Sequence, residues 1–121
     1  MAVGRLAAVT LDCSEIAPLV AFYREAAGLE PVHESESGAF LRNGDGVAVA
    51  LQRVENYRRP EWPGQTVPQQ LHLDLAVDDI ETAETELLRL GATKPADQPG
   101  DAKWRVFLDP AGHPFCASVW D

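Results

Sequence analysis

Two pairs of glycines at nearly equal offsets constrain what this chain can fold into more than any other feature. Gly28 and Gly91, each ending a helix-like stretch, lie 63 positions apart, and Gly46 and Gly112, each in a turn between strand-like runs, lie 66 apart. Matching offsets for two different kinds of turn mean that one order of elements occurs twice. In the first half, Leu6 to Asp12 reads as a strand and Ser14 to Ala27 as a helix, with Ile16, Leu19, Val20, Tyr23 and Ala27 at helical spacing. Glu30 to Glu34, Gly38 to Arg42 and Val47 to Gln52 follow as strands, the last two joined by the turn residues Asn43-Gly44-Asp45-Gly46. In the second half, Leu71 to Val77 reads as a strand and Asp79 to Leu90 as a helix. Ile80, Ala83, Leu87 and Leu90 form its apolar stripe, and Asp78 is the expected cap, with Glu81 completing a capping box. Thr93 to Pro95, Trp104 to Leu108 and Pro114 to Trp120 are the closing strands. The expectation is an α+β chain of two βαβββ modules, at about residues 5–52 and 70–120, joined by a loop over 53–69.

A length of 121 residues suits one domain with a core large enough to need no staples. Ten Lys and Arg against nineteen Asp and Glu leave a net charge of -9, which disfavours nucleic acid and anionic membrane surfaces as partners. A cationic small ligand is better tolerated than an anionic one, although excess carboxylates also serve solubility alone. Only Cys13 and Cys116 occur, without CxxC spacing, which points to a reducing, cytoplasmic setting. The amino terminus has no basic region followed by a long apolar run, and no window is long enough to span a bilayer. There is also no GxSxG, no phosphate-binding glycine loop and no Cys-His pair at family-specific spacing.

The stretch QQLHLDLAVDD, from Gln69 to Asp79, concentrates the chemistry. Alternation sends Leu71, Leu73, Leu75 and Val77 to one face of a strand and His72, Asp74 and Ala76 to the other. The corresponding faces of other strands carry small side chains: Ala8 and Thr10, then Ala48 and Ala50 with Gln52, then Cys116 and Ser118. Interiors are close-packed, so such a face has to be covered by a partner chain, by long side chains of the same chain, or by a ligand. Trp104, Trp120 or the central loop are the internal candidates for filling it. That loop, RVENYRRPEWPGQTVPQ, is long and stiffened by three prolines. Its Tyr57 and Trp62 are placed to cover the mouth of a cavity and to stack on a flat or cationic molecule, whereas Arg58 and Arg59 read more simply as solvated. His72 beside Asp74 is the one candidate general base, suited to proton abstraction, and both cysteines read as small core residues rather than nucleophiles.

Three stretches, AFYREAAGLEPV (Ala21 to Val32), LHLDLAVDDIETAETELLRLGA (Leu71 to Ala92) and WRVFLDPAGHPFCASVW (Trp104 to Trp120), resemble the vicinal oxygen chelate superfamily, which includes glyoxalase I, bleomycin-resistance proteins and extradiol dioxygenases. YRRPEWPGQTVPQQLHLDL and DPAGHPFC further resemble small glyoxalase-like proteins of actinobacteria. The resemblance covers essentially the whole chain and implies a curved mixed sheet with the ligand on its concave side. It also implies pairing of modules, within a chain or across a homodimer. Metal-dependent members place ligands at four positions that fall here on Ala8, Ala50, His72 and Cys116. Two alanines cannot coordinate, and a thiolate would replace the usual carboxylate, so no resident cofactor is expected. The alternative is a divalent metal on His72 with Cys116 or Asp74. The other histidines, His33 beside an acidic run and His113 in a turn, are not expected to join them. The resulting expectation is a small-molecule-binding protein of the antibiotic- or metabolite-sequestering kind, with Thr10, Gln52, Tyr57, Trp62, His72, Asp74, Cys116 and Ser118 at the site. A metal-dependent lyase, isomerase or dioxygenase, and a structural or regulatory partner domain, are the alternatives.

Overall fold

The computed structural model describes residue 2 and residues 6–119. Arg5 and Trp120, expected at the outer ends of the two modules, lie outside the described residues. The chain divides into two compact units, the first ending at Tyr57 and the second beginning at Arg58.

In the first unit, β1 (Ala8–Cys13) leads into α1 (Ile16–Ala27), followed by β2 (Glu30–Glu34), β3 (Gly38–Arg42) and β4 (Ala48–Arg53). The strands form a mixed sheet in the order β1-β4-β3-β2, with β1 parallel to β4 and the other pairs antiparallel. Helix α1 buries Ile16, Leu19, Val20, Phe22 and Tyr23, with Ala39, Leu41 and Leu51 of the sheet also buried. Gly28 ends the helix in the left-handed conformation at φ 66°, where its N–H donates to the Arg24 carbonyl and that of Leu29 to the Tyr23 carbonyl.

The second unit repeats the pattern with β5 (Leu73–Ala76), α2 (Ile80–Arg89), β6 (Trp104–Leu108) and β7 (Pro114–Ser118). Here β5 runs parallel to β7 and β7 antiparallel to β6, as in the first unit. Its core contains Leu87, Val106, Phe107, Phe115 and Ala117, and the Phe107 and Phe115 rings stack with centroids 5.7 Å apart.

Two expectations are corrected here. The cap of α2 is Asp79 rather than Asp78: its carboxylate accepts from the Thr82 N–H at 2.9 Å and from the Thr82 hydroxyl at 2.6 Å. Glu81 therefore falls one position too early to complete a capping box and reaches Arg105 instead, at 3.0 Å. The strand expected at Thr93 to Pro95 is a single bridge between Thr93 and Leu108. Proline has no N–H to continue a ladder, and the Gln98 side chain takes over where the strand stops. The Gln98 amide accepts from the Val106 N–H and donates to the Val106 and Pro95 carbonyls, all at 2.9 Å. One side chain thus satisfies the edge of β6.

Among the described residues, no helix is long and apolar enough to cross a membrane.

Candidate ligand cavity and metal-ligating cluster

The parallel pairing of β5 with β7 sets Asp74 directly opposite Cys116 and Ala76 opposite Ser118, while β6 sets Val106 opposite Cys116 and Trp104 opposite Ser118. Cross-strand partners share a face, so one side of this small sheet carries Asp74, Cys116, Val106, Ser118 and Trp104. His72, two residues before Asp74, joins the same row. These side chains line a cavity of about 520 Å³, within the range of small-molecule sites.

Its walls are apolar where Trp62, Trp104, Val106 and Pro114 lie, and Lys103 and Gln69 add polar groups. Trp104 is 38% exposed, so it faces the cavity as a wall and leaves room beside it. Gly100 makes that placement achievable, because a Cβ there would fall inside the Trp104 indole. Gln69 Oε1 is buried without a hydrogen-bond partner among the described residues, which leaves one acceptor at the cavity unspent.

Of the residues expected at a site, Trp62, His72, Asp74, Cys116 and Ser118 line this cavity. Thr10 and Gln52, both exposed, and Tyr57, half-buried, belong to the first unit and are not among its lining residues. The sequence reading did not include Gln69, Lys103 or Val106 at the site, and took Trp104 only as a candidate for filling it. Alternation along β6 carried the signal for Trp104 and Val106, but the irregular segment holding Lys103 has no period to read. A second concavity, of about 720 Å³ in the first unit, is lined by Ser14, Glu15, Glu34, Glu36 and Arg53 among others, and holds no aromatic, histidine or cysteine.

On the cavity floor, His72 Nε2 lies 3.7 Å from Asp74 Oδ1, with both side chains nearly half exposed. One ligand atom from each of His72, Asp74 and Cys116 falls within 4.8 Å of the others. Burial, and after it the Asp74 carboxylate, push the Cys116 thiol above its ordinary range, so in isolation it stays protonated and is a poor nucleophile at neutral pH. Of the four positions at which the resemblance implies metal ligands, Ala8 and Ala50 offer no donor atom. What remains is a three-donor set carried entirely by the second unit.

Two mixed sheets with two helices, each first strand parallel to the last of its unit, define the fold of the glyoxalase, bleomycin-resistance and dioxygenase class. The chain belongs to the glyoxalase-like domain family of the vicinal oxygen chelate superfamily, whose family model matches residues 8–118. Solved structures agree on the fold. A glyoxalase/bleomycin resistance protein/dioxygenase family enzyme from Burkholderia phytofirmans is 20% identical over 96% of this chain and 98% of its own, with a TM-score of 0.74. A fosfomycin resistance protein from Mesorhizobium loti is 18% identical over 100% and 94%, with a TM-score of 0.71. The bleomycin-binding protein of Streptomyces verticillus, solved with copper(II)-bleomycin, is 21% identical over 100% of both chains, with a TM-score of 0.61. No curated protein matches the chain at a significant level.

Proposed function

We propose that this protein binds and sequesters a small organic molecule in the cavity of its second unit, without the superfamily's usual four-ligand metal site. The observation that carries this reading is the cavity itself: about 520 Å³, walled by two indoles, with titratable groups gathered on its floor. Indole faces supply contact area for a flat ring and attract a positive charge, and the Asp74 carboxylate adds to that attraction. A bleomycin-binding protein stands among the structural relatives, which agrees with this use of the fold. The proposal includes a homodimer, one of the two ways in which the superfamily pairs its modules, and a cytoplasmic setting, with which two buried cysteines accord.

A metal-dependent lyase, isomerase or dioxygenase is the second reading, favoured by the convergence of His72, Asp74 and Cys116. The two readings separate in one experiment. A library of small aromatic amines and heteroaromatic cations is screened by calorimetry, and the tightest compound is recovered after long incubation and weighed by mass spectrometry. One molecule per chain, recovered unchanged, is the expected result. A product of altered mass that accumulates catalytically would overturn sequestration in favour of an enzyme.

A further inference from the structure

His72, Asp74 and Cys116 form a metal-ligand set that differs from the superfamily's in composition and in origin. The superfamily site draws on both modules, whereas all three donors here come from one unit, and Asp74 lies outside the four superfamily positions. We propose that these three side chains bind a thiophilic divalent ion, of the zinc or cobalt type, and leave one coordination position open toward the cavity.

Geometry supports the proposal first. Four-coordinate zinc, with bonds of about 2.0 to 2.3 Å, holds its donors roughly 3.3 to 3.8 Å apart. The His72 Nε2 to Asp74 Oδ1 separation of 3.7 Å already meets that spacing. One ligand atom of His72 and one of Asp74 lie within 4.8 Å of the Cys116 Sγ, and both of those side chains are exposed and free of close packing on one side. The frame is rigid, since Asp74 and Cys116 are cross-strand partners on β5 and β7 and His72 immediately precedes β5. Ligands held on paired strands lose little freedom when an ion binds.

Donor chemistry then selects the ion. One thiolate, one imidazole and one carboxylate suit zinc or cobalt, whereas calcium demands six to eight oxygens and magnesium near-octahedral oxygen coordination. Three protein ligands are the number found in open zinc sites, whose fourth position takes water or a bound molecule. The inference rests on the proposed cavity for its setting, since the open position faces it.

The test is a cobalt(II) titration of the untagged chain, followed by absorbance. The expected result is a thiolate-to-cobalt charge-transfer band that saturates at one equivalent and is abolished by zinc but not by magnesium. Cys116→Ser removes the band, and Asp74→Asn and His72→Ala, both at exposed positions that leave the fold intact, weaken binding at least tenfold. Absence of a band overturns the proposal. So does a band that survives Cys116→Ser, since Cys13 is the only other thiol, or unchanged affinity in Asp74→Asn. Organic ligand binding by metal-stripped protein is measured alongside, so a missing ion with intact ligand binding sinks this inference alone, and loss of both sinks the cavity reading as well.

Discussion

At Gly100 the chain turns directly beneath the Trp104 indole, and the Lys103 N–H closes that turn on the Gly100 carbonyl at 2.9 Å. Gly100→Ala is expected to push the indole out of the cavity wall, changing near-ultraviolet circular dichroism and costing roughly 1 to 3 kcal/mol in urea denaturation by overpacking. Gly112 is a second position where only glycine serves, with φ at 92° and Arg59 Nε 2.5 Å from where a Cβ would stand. Arg59, exposed as expected of a solvated loop residue, also lies against the β6–β7 turn. The Gln98 amide replaces a strand at the edge of β6, and nothing about a lone glutamine between two prolines signals that role, because the partner, Val106, is eight residues away. Gln98→Ala leaves a part-buried N–H and carbonyl unpaired and is expected to cost about 1 to 3 kcal/mol, measured by urea denaturation.

The helices and most strands were legible because their signals are periodic and local: an apolar stripe at helical spacing in α1, a Gly stop at φ 66°, and alternation along β5. The cap of α2 was displaced by one residue because adjacent aspartates offer equal chemistry, and only the position of Thr82 decides between them. Hydrogen bonds from the Thr82 hydroxyl, then from its backbone N–H, lower the Asp79 pKa. A lowered folded value means the carboxylate stabilises the protein above its unfolded pKa, and that contribution is lost as pH falls through the folded value. The difference in melting temperature between the wild type and Asp79→Ala should therefore persist at neutral pH and shrink below the ordinary carboxylate range. Helix α2 is also tied to β6 by Arg105, which donates to Glu84 and Glu81 at 3.0 Å each, while Lys94 lies 2.9 Å from Glu84. These pairs are largely surface contacts, so Arg105→Met is expected to cost only about 0.5 to 1 kcal/mol, and less at high salt, as thermal melts at two ionic strengths would register.

Across the whole molecule, one strand pairing is used twice with different chemistry. Thr10 stands opposite Ala50 in the first unit as Asp74 stands opposite Cys116 in the second. The internal repeat in the sequence made that correspondence readable, whereas only the resemblance to the superfamily marked Ala8 and Ala50 as positions where a donor was to be looked for. The cavity floor was legible for the same reason, since His72, Asp74, Cys116 and Ser118 follow from alternation alone. Its rim was not, because Lys103 and Gln69 sit in segments without a period and reach the cavity only through the path of the backbone. The central claim is that the second unit binds a small organic molecule at this cavity. Its most direct test is an NMR titration of the isotope-labelled chain with the tightest compound from the calorimetric screen. Saturable shifts are expected at the backbone amides of His72, Asp74, Trp104, Cys116 and Ser118 and at the indole N–H groups of Trp62 and Trp104. Saturable shifts confined to the first unit, or none at all, would contradict it.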